Sequence, residues 1–413
     1  MGAKDKINIL FVSATVPYPA IDGGRIRVLN LVSRLCRIHE VTFLTFIASP
    51  ADEQGAAYLR EMGMEVVGVR LPEQKSGSRA LNALSALGGL VKSSMQRKPL
   101  TVAKYYSAEM AATLERLLGS GRFDVVHFEM LHTGQFLQES DAKVATVLGQ
   151  QNIDSRIWRR LAKEEPKLMR KLVFRSQYRS FVSYESRICS RFDVCLCVSE
   201  EDGKELKSIC PEAAIDVVPN GVDSGYFSPG DGEEEEACLV FTGSMDWHPN
   251  EDAVIFFCDQ IFPLIQAELP EVKFLIVGSN PTDRVLKLDE IPGVTVTGRV
   301  EDVRPYIVDA AVFIVPLRIG GGTRLKILQA LAMEKAVVST AIGCEGLNLQ
   351  PGEHLLVADE PRQFADESVR LIKDRALRRR LGENGRAFVR EKYDWDVVVD
   401  GLDRVYKGLI SRI

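Results

Sequence analysis

The sequence lacks any apolar run that approaches the ~20 residues of a membrane-spanning helix. Near the N-terminus, residues 7–12 form a short apolar segment with the length of a strand. That segment is too short for the apolar core and cleavage site of a signal peptide. We therefore expect a cytoplasmic protein, and the composition leaves open a peripheral contact with the inner face of the membrane.

An excess of positive charge is also missing. The 52 basic residues face 57 acidic ones, for a net charge of −5. This balance argues against a surface built for nucleic acid, although it permits a local basic face. The eight cysteines and five histidines are scattered without metal-ligand spacing, which predicts no metal site. Cys195 and Cys197 lie in an apolar run, where buried free thiols in a reducing compartment are favoured over a disulfide or metal role.

Three common nucleotide or metal motifs are absent. The first predicted strand is followed by the sequence SATVP rather than G-x-G-x-x-G, which disfavours nicotinamide or flavin binding. The chain has no G-x-x-x-x-G-K-[ST] loop of the ATPase type and no H-E-x-x-H zinc motif. No cofactor is therefore predicted.

What the sequence does contain is a regular alternation of short β-branched segments and longer amphipathic ones. Such alternation predicts βαβ units and parallel sheets, and 413 residues exceed the usual size of one core. We predict an α/β protein of two Rossmann-like doubly wound domains facing a central cleft, with thirteen strands. The predicted parts are a first domain over 1–218, a turn-rich acidic linker over 219–236, a second domain over 237–394, and a helix over 395–413 crossing back to the first domain. Single long helices are predicted over 78–96, 154–190 and 250–268.

The most informative segment follows an apolar strand and reads RIGGGTRLKILQALA from Arg318 to Ala332. Glycines before a helix let backbone N–H groups approach an anion closely. Arg318, Arg324 and Lys326 add positive charge where a diphosphate could sit. A flexible turn with solvated basic residues is the alternative, but the position after a strand favours the anion site.

This segment resembles the donor-binding motif of family 4 retaining glycosyltransferases of GT-B fold. It is most similar to a bacterial subgroup that reads GGGTRLKILEALA and is associated with exopolysaccharide and protein-sorting systems. Further matching segments occur in the same order along nearly the whole chain: PYP at 17–19 with DGG at 22–24, PNGVD at 219–223, FTGSMDWHPN at 241–250, GRVEDVRPY at 298–306 and GCEGL at 343–347.

The resemblance implies a retaining hexosyltransferase that uses a nucleotide diphosphate sugar as donor and a carbohydrate or lipid-linked hydroxyl as acceptor, in surface polysaccharide or glycoconjugate synthesis. It implies catalytic roles for Arg318, Arg324 and Lys326, which would neutralise the leaving diphosphate, and for Gln151 beside the transferred sugar. It also implies substrate-binding roles for twelve positions. These are Gly23, Gly24, Gly243, Ser244, Gly298, Val300, Gly320, Gly321, Gly322, Thr323, Leu325 and Gln329.

Several positions depart from the family pattern. Two glutamates common in the family are replaced by Gly321 and Gln329, and a His-Asn pair reads Gln151-Asn152. Ser244 stands where other branches place a phosphate-binding arginine, although the subgroup shares the neutral residue. The glutamine replacements leave open a non-catalytic nucleotide-sugar binder as an alternative function. A nucleotide-sugar epimerase is a weaker alternative, because no convincing set of acidic residues is present.

One further segment is chemically distinct. Residues 156–191 carry eleven basic residues against three acidic ones, with five aromatic residues interleaved. A basic, aromatic helix can lie on anionic lipid headgroups. The alternative is an ordinary domain helix with a solvated basic face, and the sequence favours neither.

Overall fold

The computed structural model describes residues 6–70, 98–137, 144–230, 232, 234–320 and 323–413, apart from the side chain of Glu164. The predicted helix over 78–96 and the two residues Gly321 and Gly322 lie outside the described residues. The chain forms two compact units. One comprises Met1–Val218 with Val399–Ile413, and the other comprises Pro219–Val398.

The first unit contains a parallel sheet of seven strands in the order β3-β2-β1-β4-β5-β6-β7. The strands are β1 Asn8–Val12, β2 Glu40–Ile47, β3 Glu65–Arg70, β4 Val125–Glu129, β5 Ala145–Gly149, β6 Val194–Cys197 and β7 Ile215–Val217. The central strands are apolar on both faces because helices cover both sides of a doubly wound sheet. Ile9 and Phe11 on one face and Leu10 on the other are fully buried in β1. The doubly wound architecture predicted from the alternation is confirmed.

The helices of the first unit follow the predicted alternation. They are α1 Gly23–Ile38, α2 Pro50–Glu61, α3 Leu100–Lys104, α4 Ala108–Gly119, α5 Asp154–Glu164, α6 Leu168–Cys189 and α7 Glu200–Ile209. Asp22, Ser49, Ser107 and Ser199 accept a backbone hydrogen bond as N-caps of α1, α2, α4 and α7. The prediction of one helix over 154–190 is wrong, because Pro166 has no N–H and disfavours helical backbone at the residue before it.

The second unit contains a parallel sheet of six strands in the order β10-β9-β8-β11-β12-β13. The strands are β8 Glu235–Thr242, β9 Lys273–Val277, β10 Val294–Gly298, β11 Ala310–Val315, β12 Ala336–Ser339 and β13 Leu356–Val357. In both sheets the strand order reverses beside the first strand of the sheet. Ligands of such sheets bind at this point, outside the carboxyl ends of the strands. Every residue of β11 is buried, as expected for a central parallel strand.

The helices of the second unit pack on both faces of this sheet. They are α8 His248–Phe256, α9 Phe262–Glu268, α10 Asp283–Leu286, α11 Arg304–Asp309, α12 Leu325–Ala332, α13 Pro361–Lys373 and α14 Arg375–Lys392, and the last helix of the chain is α15 Trp395–Ile410. The continuous helix predicted over 250–268 is interrupted by a π-helical turn at Phe257–Ile261. Pro263 follows this turn and has no N–H to donate, which accounts for the interruption.

The second half of α15 belongs to the first unit and is tied to its sheet by buried polar contacts. Tyr406 Oη lies 2.7 Å from His127 Nδ1 on β4. Asp403 Oδ1 lies 2.8 Å from Nε2 of His39, which precedes β2. Within the described ranges, no helix combines the length and the apolar character that a membrane crossing requires.

Two acidic side chains of the first unit are held away from water. Burial raises the pKa of Asp154 to about 7 and the pKa of Glu185 to about 8. Glu185 Oε1 accepts a hydrogen bond from the Ser155 N–H at 3.1 Å, whereas its Oε2 has no partner among the described residues. The folded state therefore favours a protonated Glu185.

A pH-dependent stability follows from this burial. Because the folded protein binds this proton more tightly than the unfolded chain, the free energy of unfolding falls as the pH rises from about 4.5 through about 8. We expect Glu185→Gln to be more stable than the wild type at pH 8.5 by about 1–3 kcal/mol, with little difference at pH 5. Urea denaturation at both pH values measures this difference, with the exposed Glu109→Gln as the control. Equal differences at the two pH values would contradict a raised pKa.

Candidate functional site

At the carboxyl edge of the second sheet, the loops that follow β8 and β9 approach each other closely. Gly278, after β9, has a φ of +158°, and a Cβ there would lie 1.6 Å from the Gly243 carbonyl oxygen. A Cβ on Gly243 would in turn lie 2.7 Å from Asn250 Nδ2 and 3.0 Å from Lys326 Nζ. Only glycine fits at Gly278, because the clash there is with backbone, and the small size of Gly243 lets the backbone come directly against the polar groups of the edge.

Lys326 is the central charged group of this edge. Its Nζ donates to Asn250 Oδ1 at 2.9 Å and lies 3.7 Å from the centre of the Phe241 ring. The other end of the same amide, Asn250 Nδ2, donates to the Ser244 carbonyl oxygen at 2.9 Å. Burial, followed by the nearby Arg324 charge, lowers the pKa of Lys326 well below its usual value. An anion bound here would restore the ordinary preference for the charged ammonium.

The glycine-rich loop leads into α12, which begins at Leu325. Gly320 has a φ of +148°, and a Cβ there would lie 2.3 Å from Arg324 Nη2. Thr323 Oγ1 is buried, and no residue in the described part of the chain hydrogen-bonds it. No side chain caps the first turn of α12. Backbone N–H groups and a hydroxyl are thus available where a phosphate would bind.

Arg318 differs from the other two predicted cations. It forms a two-point ion pair with Asp252, with Nε–Oδ2 and Nη2–Oδ1 distances of 3.1 and 2.6 Å. Its guanidinium also lies 4.2 Å from the centre of the Phe256 ring. The charge of Arg318 is therefore shared with a carboxylate, which the sequence pattern did not indicate.

The remaining predicted positions of the second unit lie around the same sheet. Gly298 is the last residue of β10, and the half-buried Val300 packs against the core from the loop that follows. The Leu325 side chain also packs against this core, so its backbone rather than its side chain is available to a ligand. Gln329, one helical turn beyond Leu325, is half-buried. Gly321 and Gly322 lie outside the described residues.

At the carboxyl edge of the first sheet, the start of α1 lies against the loop that follows β5. Gly23 is the first residue of α1, and a Cβ on Gly24 would lie 3.0 Å from Gln151 Oε1. Gln151 Nε2 donates to Glu129 Oε1 at 2.8 Å and to the Gly24 carbonyl oxygen at 3.4 Å. The structure thus brings Gly24 and Gln151 together, with Glu129 as a third member.

These partners determine the orientation of the Gln151 amide. An ionised carboxylate and a backbone carbonyl only accept hydrogen bonds, so the NH₂ group must face Glu129 and Gly24. The amide oxygen is then the group that remains to accept a hydrogen bond from a ligand hydroxyl.

Glu129 is the residue that the sequence prediction missed. It ends β4, is 1% exposed, and lies 2.9 Å from His127 Nε2 and 3.9 Å from Arg27 Nε. Burial alone would raise the pKa of Glu129, but His127, Arg27 and Gln151 together lower it below its usual value. Gly149 on the adjacent strand leaves room for this cluster, since a Cβ there would lie 2.6 Å from Glu129 Oε2. The signal in the sequence that could have identified Glu129 is a carboxylate at the end of an apolar strand.

Metal-ligating side chains are not clustered in the described ranges. No three or more His, Cys, Asp or Glu side chains are grouped there in a way that could hold a metal ion. The polar groups collected at the two sheet edges are mainly amides, hydroxyls and cations, and the carboxylates Glu129 and Asp252 are each paired with a cation.

Both units match known protein families. Residues 22–221 match the family described as glycosyl transferase 4-like domain, and residues 236–374 match the glycosyl transferases group 1. An uncharacterized 44.6 kDa protein in the cps region of Klebsiella pneumoniae is 24% identical over 94% of this chain and 96% of its own length. A GDP-mannose-dependent monoacylated alpha-(1-6)-phosphatidylinositol monomannoside mannosyltransferase of Corynebacterium glutamicum is 25% identical over 54% of this chain and 64% of its own.

The fold is shared with solved structures. Anabaena HepE, in complex with UDP-glucose, superimposes with a TM-score of 0.67 over 97% of this chain and 100% of its own, at 12% identity. Two parallel, doubly wound sheets with alternating helices are the GT-B architecture. The two family matches and this architecture show that the chain belongs to the group 1, family 4-like glycosyltransferases of GT-B fold.

Proposed function

We propose that the protein transfers a hexose from a nucleotide diphosphate sugar to a hydroxyl acceptor with retention of the anomeric configuration. The observation that carries this proposal is the half-buried Lys326, whose ammonium contacts Asn250 and lies beside Gly243 at one sheet edge, just after the glycine-rich loop. A partly desolvated ammonium with a lowered pKa, beside backbone N–H groups at a helix start, suits an incoming diphosphate.

In this proposal the second unit binds the donor. Lys326 and Arg324 balance the charge that grows on the diphosphate as the bond between the anomeric carbon and the phosphate oxygen breaks. Thr323 and the backbone of Gly320, Gly321, Gly322 and Leu325 hold the phosphates and the sugar. Gly243, Ser244, Gly298 and Val300 provide the surroundings of the phosphates and base, and Gln329 accepts from the ribose. Arg318 acts less directly, because Asp252 already shares its charge.

The first unit contributes the acceptor side of the reaction. The acceptor oxygen forms the new bond on the face from which the diphosphate departs, and its proton moves to the leaving phosphate oxygen. No protein nucleophile and no metal ion enter this sequence of events. Gly23 and Gly24 line the floor of the acceptor site. The fixed amide oxygen of Gln151 accepts a hydrogen bond from the transferred sugar.

The setting that fits this activity is surface polysaccharide synthesis. The Klebsiella pneumoniae relative lies in a cps region, and the Corynebacterium glutamicum relative is named for a lipid-linked acceptor. By analogy, the acceptor proposed here is a carbohydrate or a lipid-linked carbohydrate, reached from the cytoplasmic face of the membrane. The structural relative HepE binds UDP-glucose, which makes UDP-sugars the first donors to test.

A donor screen tests the proposal. We expect one class of UDP-, GDP-, ADP- or TDP-sugar to raise the melting temperature of the purified protein and to be hydrolysed slowly without acceptor. Stabilisation without any turnover, even with acceptor extracts, would indicate the non-catalytic binder. If no donor binds and Arg324→Ala changes nothing, the donor site is wrongly assigned.

A further inference from the structure

The first half of α6 exposes large apolar side chains to solvent. Leu168 and Met169 are 68% and 75% exposed, and Leu172 and Val173 are also exposed. The second half of the same helix is different, since Phe181 there is buried in the core. Large apolar side chains that cluster on a surface mark a contact with a partner or a membrane, whereas single ones need no explanation.

Basic side chains lie along the same helix as these apolar residues. Lys171, Arg175 and Arg179 repeat every four residues along α6 and therefore lie on one side of the helix. With Lys163 of α5 and Tyr178, they line a concavity of about 440 Å³. Within the described residues, none of these four cations forms an ion pair with a carboxylate, whereas Arg159 and Arg170 do.

The aromatic residues of this region have a structural role. Trp158 of α5 packs against Phe174 and Phe181 of α6, with ring centres 5.6 and 6.0 Å apart. This stacking joins α5 to α6 and buries part of the ring surface. Aliphatic side chains, and cations for which the described residues provide no carboxylate partner, therefore remain as the groups available for binding.

We propose that Leu168, Met169 and Leu172, together with the cations Lys163, Lys171, Arg175 and Arg179, dock on the surface of an anionic lipid bilayer. These residues are here called the α5–α6 face. The apolar side chains enter the boundary between headgroups and acyl chains, and the cations bind lipid phosphates beside them. A net charge of −5 for the whole chain makes this basic face locally distinct and fixes which surface meets the membrane. The proposal extends the proposed function, because it places an enzyme with a lipid-linked acceptor at the membrane.

Vesicle sedimentation of the full-length protein tests this proposal. We expect binding to vesicles of equal parts phosphatidylglycerol and phosphatidylcholine, no binding to pure phosphatidylcholine, and weakening of the binding by salt. The variant Lys163→Gln/Lys171→Gln/Arg175→Gln/Arg179→Gln should lose on the order of 100-fold in partitioning. A matched removal of four exposed cations of the second unit, Lys287→Gln/Arg375→Gln/Arg380→Gln/Arg390→Gln, should change partitioning by less than about threefold, because these residues lie outside the proposed face.

A second variant separates the bilayer from other polyanions. Leu168→Ser/Met169→Ser should weaken vesicle binding about tenfold or more and leave binding to soluble polyphosphate unchanged. Equal effects on both ligands, or vesicle binding that the quadruple glutamine variant retains, would overturn the proposal. Concentration-dependent self-association that this serine variant abolishes, without any vesicle binding, would assign the face to a second copy of the chain instead. Thermal shifts with UDP-sugars on the same preparations show separately whether the donor site is intact.

Discussion

The substitution Lys326→Met is expected to lower the rate of sugar transfer by about 10²–10³-fold while the protein stays folded. Methionine keeps most of the volume beside the Phe241 ring but cannot balance the charge that develops on the departing diphosphate. Because the wild-type ammonium is already held with a lowered pKa, its removal also relieves a partly desolvated charge, and we expect the melting temperature to stay equal or rise.

The measurement is the steady-state rate of transfer with the donor identified by the screen. Lys287→Met makes the same chemical change at an exposed position on the second unit and should leave the rate within about twofold. A Lys326→Met enzyme with an undiminished rate would show that Lys326 does not contact the diphosphate. A collapse of both rate and melting temperature would instead indicate a structural role for this lysine.

The second large effect is expected from Glu129→Ala, which should lower the free energy of unfolding by about 3–5 kcal/mol. The variant leaves the buried Arg27 without its carboxylate and His127 without one of its two hydrogen-bond partners. Denaturant unfolding of the variant and the wild type measures the loss. Glu65 on β3 forms an exposed ion pair with Arg122. Glu65→Ala removes this carboxylate and should lower the free energy of unfolding by less than about 1 kcal/mol. Equal costs for the two variants would contradict a buried, charge-compensated Glu129.

The same carboxylate should also make the wild type sensitive to acid. A pKa that is lowered in the folded state stabilises the protein above the unfolded value of about 4.5, and this stabilisation is lost as the pH falls through the folded value. The acid side of the stability profile should therefore become flatter in Glu129→Gln, which has no charge to lose. This variant also replaces the charged acceptor that orients Gln151 with an amide that can present either its oxygen or its NH₂ group, so its KM for the donor should rise even where it remains folded.

Local sequence rules predicted much of the fold because few interactions compete with them. A short run that is apolar on both faces between helical segments has few stable positions other than the centre of a parallel sheet, and β1 and β11 illustrate this. The sequence also contains the signals for the two helix breaks, since Pro166 and Pro263 cannot donate a backbone hydrogen bond. The two helices predicted as continuous were wrong because amphipathic periodicity was given more weight than proline.

The glycine-rich loop before α12 follows from the sequence for a related reason. Glycines before a helix that begins with Arg324 and Lys326 bring backbone N–H groups and positive charge to one sheet edge through local chain geometry alone. The sequence by itself thus determined the strand alternation, the glycine-rich loop, the basic character of α5 and α6, and the family to which they point.

Only the tertiary structure decided which charges are compensated. Glu129 meets Arg27 from α1, and its partner His127 meets Tyr406 from the far end of the chain, while Arg318 is paired by Asp252 more than sixty residues away. These contacts join residues that no local pattern relates, and they depend on how strands and helices from distant segments pack. Charge and hydrogen-bond strength vary with burial and distance, so the roles of Lys326 and Gln151 depend on the packed structure rather than on residue type.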